Sequence, residues 1–178
     1  MTKVVWFERT FELGLEVEYL AGIVERLRGT PGRLEERVSA LPGALLVSRE
    51  NGLWSIQEHA GHLADLEPLW LGRIEDLAAG HGRLRPADLE NTATWEANHN
   101  DGALEAILAD FRSRRARTIE RVESMSGEEL VASALHPRLE QPMTTVDLCF
   151  FVAEHDDHHL ARITELRERA LKEGRRSS

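Results

Sequence analysis

Histidine is the residue type in this 178-residue chain whose placement points most directly to chemistry. His155 and His159 are four residues apart in a segment with helical periodicity, so their Cβ atoms lie roughly 5–6 Å apart on one helix face. Two imidazoles at this spacing can bind the same ion, as they do in zinc sites that take both histidines from one helix. The pair therefore predicts a divalent metal site.

The face that carries these histidines is apolar rather than solvated. It consists of Leu148, Val152, His155, His159, Ile163 and Leu166. His62 belongs to a similar inward-facing row with Leu66 and Leu69. Burying three imidazoles without partners is costly, and a shared ion would satisfy one nitrogen of each ring. Spacing does not show that the two segments meet, so an ordinary hydrogen-bonded core histidine stays an alternative for His62.

Two other metal motifs fit the same residues less well. The run from His155 to His159 approximates the His-Glu-x-x-His motif of zinc proteases, with Asp156 in the place of the general base. Aspartate is shorter than glutamate, and no familiar third ligand follows, which disfavours a protease. Di-iron bundles need Glu-x-x-His on two helices, and neither Glu58 nor Glu154 is followed by histidine at that spacing.

Amphipathic helices are the elements that must position the histidines. Apolar residues recur at alternating steps of four and three from Trp6 to Leu27, which predicts one long first helix. The Gly-Thr-Pro-Gly segment at 29–32 should end it, and residues 33–41 should form a short helix or an irregular connection.

The second helix carries His62 and has a clear beginning. Ser55 and Glu58 have the spacing of a capping box, which predicts a helix from that point to about Ala79. Pro68 lies inside this span and should kink the helix. Glu58 could also accept a hydrogen bond from an imidazole, although the capping role is sufficient by itself.

The rest of the chain continues the helical pattern. Residues 80–99 read as a long polar connection, with Trp95 as its expected anchor to the core. A third helix is expected over 102–125, and a fourth from 144 or 145 to about 172. No segment alternates at period two, so no strands are predicted. The predicted fold class is all-α, a single four-helix bundle with long inter-helix connections.

This bundle should span residues 1–173 as one domain, with a frayed tail at 174–178. The net charge of −9 and pI of about 5.4 argue against nucleic acid and anionic membranes as partners. No apolar stretch has the length of a transmembrane helix, and no signal-like segment begins the chain, so a cytoplasmic location is expected. With a single cysteine, Cys149, the chain can form no internal disulfide, and this residue is expected in the core.

Three sequence segments resemble one known family. They are Trp54-Ser55-Ile56-Gln57-Glu58 followed by His62-Leu63, the run from Glu154 to Ile163, and His136-Pro137-Arg138-Leu139. Together they resemble the DinB/YfiT-like superfamily of metal-binding four-helix bundles, over essentially the whole chain. The resemblance implies that His62, His155 and His159 are the three ligands of one divalent ion, zinc or nickel. His158 should point roughly 60° away from the ligand face and have an outer or structural role.

Three neutral imidazoles leave room on the ion for water or substrate, which is the arrangement of a catalytic site. Many relatives are similar to S-transferases or isomerases that use a low-molecular-weight thiol. The resemblance thus implies a small thiol and an electrophilic substrate as partners, and it favours a homodimer. A non-catalytic metal-binding or stress-response module and a metal-dependent hydrolase are the alternatives. No residue of the sequence identifies itself as a general base, so the catalytic residues are left unassigned.

Several other residues have a structural and a functional interpretation. Trp54 could line the mouth of a pocket, although an apolar contact at the helix start is favoured. Arg162 could attract an anionic ligand or simply pair with a surface carboxylate, which is favoured. His99 and His136 lie in connections, and their roles are left open. The arginine run on the third helix is expected on a solvated face and consists of Arg112, Arg114, Arg115 and Arg117.

Overall fold

The computed structural model describes residues 5–176, and side chains over residues 5–172. It confirms an all-α bundle. The helices are α1 (Leu20–Val38), α2 (Gly43–Leu46), α3 (Ile56–Asp65), α4 (Glu67–Ala78), α5 (Thr92–Glu96), α6 (Leu104–Glu123), α7 (Gly127–Val131) and α8 (Thr145–Arg176). The helices α1 and α3 each pack against both α6 and α8, and α4 continues α3 along α6. Within the described residues, no helix is long and apolar enough to cross a membrane.

The first helix differs from the prediction at both ends. Residues 9–16 are not helical, because Gly14 adopts a φ of 90° and turns the chain, and α1 begins only at Leu20. The backbone N–H groups of Gly14 and Leu15 donate instead to Asp147 Oδ1, at 2.8 and 2.9 Å. The apolar residues of this N-terminal segment therefore lie across α8 as an irregular strap rather than along one long helix, with short 3-10 helices at Trp6–Glu8 and Val17–Tyr19.

The expected helix end at residues 29–32 was also wrong, since α1 continues through Pro31. A proline lacks the N–H that would pair with the carbonyl four residues earlier. That carbonyl, of Leu27, instead faces Arg115 Nη1 at 3.4 Å. A donor from another helix thus compensates the break, and no local pattern could reveal it.

The second helical segment follows the prediction closely. Ser55 Oγ accepts the backbone N–H of Glu58 at 3.1 Å, and the Glu58 carboxylate accepts the N–H of Ser55 at 2.8 Å, which completes the capping box. The kink expected at Pro68 divides the segment into α3 and α4 at Leu66. Ala64, whose carbonyl loses its partner to this proline, faces Arg114 Nη1 at 3.5 Å.

The connections contain more structure than expected. Ala134–Leu135 and Pro142–Met143 form a two-stranded antiparallel hairpin, labelled β1 and β2, although no strands were predicted. Two-residue strands are too short to show period-two alternation in a sequence. The helix α8 extends to Arg176 rather than to about residue 172, so the predicted frayed tail is partly helical. Residues 177–178 and 1–4 lie outside the described residues, and the domain limits stay a prediction.

A polar layer crosses the middle of the bundle and separates two apolar clusters. One cluster packs around Trp70, Phe151 and Val152, and the other around Phe111 and Leu160. The layer between them contains His62, Glu67, Arg115, His155, Asp156 and His159, all buried. Buried charges and imidazoles need partners, so this layer is where the candidate site must be sought.

Candidate metal centre

Three imidazoles meet in the polar layer, one from α3 and two from α8. His62, His155 and His159 each offer a ring nitrogen, and these nitrogens all lie within 4.8 Å of one another. The ring centroids are separated by 4.5 to 5.4 Å. The i, i+4 spacing aligns the two histidines of α8, and the packing of α3 against α8 brings His62 to them. The structure thus unites the three residues that the sequence singled out, and their role as ligands stays a prediction.

The arrangement of ring nitrogens fits a shared cation. The Nε2 atoms of His155 and His159 lie 3.2 Å apart. Two nitrogens bound to one tetrahedral zinc ion at 2.0–2.1 Å would be separated by about 3.4 Å. His155 Nδ1 is buried and has no hydrogen-bond partner among the described residues. A set of neutral imidazoles suits zinc, nickel or another borderline divalent ion.

Burial keeps the three rings in the neutral form that binds metal. Burial lowers the pKa of His62 to about 4. It also holds the pKa values of His155 and His159 well below the ordinary value, and neighbouring histidines add to the effect. A neutral imidazole has one unprotonated nitrogen with a free lone pair, which is the ligand that a cation needs.

Hydrogen bonds outside the triad determine which nitrogen of His62 is free. Its Nδ1 lies 3.0 Å from Thr94 Oγ1, and this hydroxyl donates to Asp65 Oδ2 at 2.8 Å. The hydroxyl oxygen therefore accepts a hydrogen bond from His62 Nδ1–H, which leaves Nε2 unprotonated. His99 Nε2 lies 2.8 Å from the same Asp65 oxygen. Carboxylates behind ligand histidines commonly orient the ring in this way.

His59 has the corresponding place behind His159. The two Nδ1 atoms lie 2.9 Å apart, so one ring donates and the other accepts. His59 is buried, and desolvation lowers its pKa to about 3, with Arg162 adding to the effect. An Nδ1–H on His159 would leave its Nε2 free to face His155. No role for His59 could be predicted from the sequence, because a single histidine one turn before His62 carries no pattern of its own.

A cavity of about 350 Å³ adjoins the three imidazoles. Its walls come from the N-terminal strap, α3, α4, the connection before α5, the β1–β2 loop and α8. Aromatic and aliphatic side chains dominate the lining, including Trp6, Phe7, Trp54, Leu66, Leu69, Trp70, Pro86, Leu89, Pro137 and Phe151. Ligand pockets commonly combine such apolar walls with a few polar groups, so a small molecule could enter beside the triad.

Other candidates from the sequence are distributed between this cavity and its surroundings. Trp54 lines the cavity with its ring centroid 4.5 Å from that of His62, so the favoured interpretation as a simple apolar contact was too narrow. His158 is half-buried and also lines the cavity, outside the three-histidine cluster. His136 lines it as well, whereas His99 contacts the site only through Asp65.

Three residues have structural rather than catalytic surroundings. Asp156 is fully buried and forms a bidentate pair with Arg115, at 2.5 and 3.1 Å, so it has no free carboxylate for a protease-like role. Arg115 is not on a solvated face as predicted, because it also binds Glu67 at 2.6 Å. Cys149 is buried in the core as expected, and burial raises its pKa to about 12.

Three other residues that were considered in the sequence are Arg162, Glu58 and Trp95, the expected anchor of the connection. Arg162 pairs with Glu165, as the favoured interpretation had it. Glu58 completes the capping box and binds Arg49. The expected anchor Trp95 is 44% exposed, and the adjacent Thr94, 3% exposed, holds the connection to α3 instead. A hydroxyl among polar residues gives no sequence signal of burial, so Thr94 was missed.

Comparisons with known proteins bear on this arrangement. The sequence profile described as the DinB superfamily matches residues 26–163. A Bacillus pumilus (strain SAFR-032) protein named "Putative metal-dependent hydrolase" is 27% identical over 154 residues, covering 85% of this chain and 87% of its own length.

Two solved structures share the fold. YfiT from Bacillus subtilis, described as "a probable metal-dependent hydrolase with an unusual four-helix bundle topology", superimposes with a TM-score of 0.76 at 22% identity, covering 91% of this chain and 93% of that one. A mycothiol-dependent maleylpyruvate isomerase gives a TM-score of 0.64 at 12% identity, over 80% of this chain. The chain spans only 59% of that isomerase.

Proposed function

The chain belongs to the DinB superfamily, and from this premise we propose that it is a metal-dependent enzyme whose ion is held by His62, His155 and His159. The ion is a single divalent cation, zinc or nickel. The reaction is transfer of a small thiol to an electrophilic substrate. One observation carries the proposal: three neutral imidazoles converge in the wall of a cavity large enough for a second reactant.

The chemistry depends on the positions that three histidines leave open. A divalent ion held there would lower the pKa of a coordinated thiol or water and supply a nucleophile at neutral pH. The residues of the chain supply the rest. Thr94 and His59 orient the ligand rings, and the aromatic walls exclude water from the reacting groups.

The composition of the cavity favours a thiol over water as the nucleophile. Hydrolysis by a metal-bound hydroxide usually needs a further group that carries a proton to the leaving group, whereas a metal-bound thiolate can displace a leaving group without one. Asp88 is the only carboxylate in the described lining, and its two oxygens accept the backbone N–H groups of Glu90 and Thr92. The shared fold with a protein described as a mycothiol-dependent isomerase is consistent with this preference.

Hydrolysis is the second candidate, and the name of the Bacillus pumilus relative favours it. In that case His158 would be the nearest candidate for a general base, since it lines the cavity and burial keeps it neutral by lowering its pKa. A metal-binding protein without catalysis is the third candidate. Product analysis separates the three.

Metal content is the first test. Protein purified without a histidine tag should contain about one equivalent of divalent metal per chain by elemental analysis, and His155→Ala should contain almost none. His81→Ala is the matched control, because His81 is exposed and lies outside the cavity lining. Wild-type protein that stays metal-free in added zinc and nickel would contradict the central claim.

Product identity is the second test. The metal-loaded protein is incubated with several small thiols and an electrophilic aromatic substrate, and products are identified by mass spectrometry. A thioether that forms only with both metal and thiol supports the transferase. A hydrolysed product that forms without thiol supports the hydrolase, and no turnover with any thiol contradicts both. Sedimentation of the same sample tests the expected homodimer.

A further inference from the structure

Three buried side-chain nitrogens lack a hydrogen-bond partner in the described part of the chain, and all three belong to residues that line the cavity. They are Trp54 Nε1, Arg138 Nη2 and His155 Nδ1. A buried polar group without a partner costs about 1–3 kcal/mol, so such groups are uncommon in a stable fold. A metal ion bound through the Nε2 atoms of the triad would leave all three of these nitrogens without a partner. Two of them, Trp54 Nε1 and Arg138 Nη2, can only donate.

Arg73 is a second cationic group of the same cavity. Its side chain is 2% exposed, yet it forms no salt bridge with any described carboxylate. Its Nε donates to the carbonyl of Arg85 at 3.0 Å, and its Nη1 faces His136 Nε2 at 3.1 Å. Burial lowers the pKa of Arg73 to about 10, and the charge of Arg138 adds to this effect, while the nearby carboxylate of Asp76 opposes it. Asp76 itself is paired with Arg85, so the cavity contains two arginines that form no salt bridge with a described carboxylate.

The ring of His136 has donors on both sides. Its Nδ1 faces the backbone N–H groups of Arg138 and Leu139, at 3.3 and 3.1 Å, while its Nε2 faces Arg73. A neutral imidazole can accept at only one nitrogen, so the protonated one lies against another donor. An acceptor placed beside Arg73 would relieve this conflict by accepting a hydrogen bond from Arg73 and another from His136.

Apolar surfaces accompany the arginines. The Arg73 guanidinium lies 5.5 Å from the ring centroid of Trp70, and the Arg138 guanidinium lies 5.4 Å from that of Phe7 and 6.0 Å from that of Phe151. Stacking of this kind holds each guanidinium in place while leaving its edge available to an anion. Asp88, the one acid among the described lining residues, accepts hydrogen bonds from two backbone N–H groups.

From these contacts we propose that Arg73 and Arg138, with His136, form a subsite for the carboxylate of an organic acid with an apolar or aromatic body. This assignment rests on the proposed function only in taking the cavity beside the triad as the substrate site. Guanidinium groups bind carboxylates through paired N–H donors, and the aromatic walls accept the rest of the molecule. The carboxylate belongs either to the electrophile or to the thiol, and a kinetic comparison of acidic and neutral substrates distinguishes the two.

Binding to the metal-free, full-length protein tests the subsite, because a carboxylate could otherwise bind the ion itself. Phenylacetate and its neutral isostere phenylacetamide are titrated by calorimetry into metal-free and zinc-loaded protein. We expect phenylacetate to bind about tenfold tighter than the amide in both forms, which corresponds to 1.4 kcal/mol. Circular dichroism confirms that each sample is folded.

Arginine variants test which side chain causes the preference for phenylacetate over phenylacetamide. Arg138→Met should abolish this preference, and Arg138→Lys should retain part of it because the charge remains. Arg28→Met is the matched control, since Arg28 is exposed on α1 and binds Glu25 and Glu123 far from the cavity lining. Arg73→Met is a second variant of the subsite, to be used if it folds.

The binding measurements can overturn the subsite in two ways that do not involve the metal. One is equal affinity for the acid and the amide in metal-free wild-type protein, and the other is an unchanged preference in Arg138→Met. A preference for phenylacetate seen only with zinc would show that the carboxylate binds the ion. That result would overturn the subsite but would support the metal site. A preference retained without metal supports the subsite even if the thiol transfer fails.

Kinetics then identifies the source of the carboxylate. Mercaptoacetate is compared with 2-mercaptoethanol, and an electrophile carrying a carboxylate with its amide. In Arg138→Met, a KM that rises about tenfold only for the acidic thiol assigns the subsite to the thiol. The same rise only for the acidic electrophile assigns it to the electrophile. A variant in which neither KM changes contradicts the proposal.

Discussion

His62 Nδ1 and Thr94 Oγ1 lie 3.0 Å apart, and this contact joins the helix of one candidate ligand to the short helix α5. Thr94 also donates to Asp65, so its hydroxyl can only accept from the imidazole. The tautomer of His62 thus depends on a residue from a connection rather than from the bundle. Thr94 in this connection therefore helps to determine which ring nitrogen of His62 is available to a metal ion.

Replacing this threonine should weaken metal binding without unfolding the chain. Thr94→Val preserves the shape of the side chain but removes the acceptor for His62 Nδ1–H. We expect metal affinity to fall by about 10–100-fold, the usual effect of losing such an orienting contact. Competition with a zinc chelator measures it. Thr92→Val, on the same helix but exposed, should keep wild-type affinity, and a fall of equal size there would assign the effect to α5 as a whole.

The ligand set predicts a difference between neighbouring histidines of α8. His155→Ala and His159→Ala should each lose bound metal, whereas His158→Ala should largely keep it, because its ring is outside the cluster. Elemental analysis after dialysis gives the stoichiometry of each variant. Equal loss in all three variants would show that the assignment of the helix face is wrong.

The buried arginine of α6 should dominate the stability of the polar layer. Arg115→Met leaves the carboxylates of Glu67 and Asp156 buried without their cation. Breaking such a pair usually costs about 3–5 kcal/mol of unfolding free energy. Urea denaturation measures it. Arg117→Met changes an exposed arginine of the same helix and should shift the free energy by less than about 0.5 kcal/mol. Similar effects in both variants would contradict this prediction.

Acid should destabilise the fold partly through His136. Burial lowers its pKa to about 4, with Arg73 and Arg138 adding to the effect, from an ordinary value near 6.5. Below pH 6.5 the unfolded chain binds this proton and the folded chain does not, so stability falls with pH until about pH 4. We expect the loss of unfolding free energy on acidification to be about 1–3 kcal/mol smaller in His136→Gln than in the wild-type protein. Urea denaturation of metal-free protein at several pH values tests this, and parallel curves for both proteins would contradict it.

Much of the site was accessible from the sequence, because its strongest parts are local. The i, i+4 pair His155 and His159 lies on one helix face by geometry alone. The capping box at Ser55 fixes where the helix of His62 begins. Adding His62 to the pair depended on the family resemblance, since no pattern within α3 or α8 states that the two helices meet.

The parts that were missed depend on contacts between distant residues. The Pro31 interruption predicted a helix end, but Arg115, 84 positions later, faces the carbonyl that proline leaves unpaired. Arg73 and Arg138 carry no motif, and only the fold places both beside one cavity. Trp95 looked like an anchor because it is large and apolar, whereas the buried contact belongs to Thr94. Such long-range compensation has no periodicity from which it could be predicted.

Within the described residues, the polar layer also divides the apolar core of the bundle into two parts. Two hydrophobic clusters lie on either side of a layer in which imidazoles and charges must find partners. A cation bound by α3 and α8 would act as a removable cross-link between helices, adding about 2.7 kcal/mol at a free concentration one hundred times its dissociation constant. Loss of the ion would then lower the stability of the folded chain as well as its activity. A cell starved of the metal would therefore degrade the protein faster, because more of it would be unfolded.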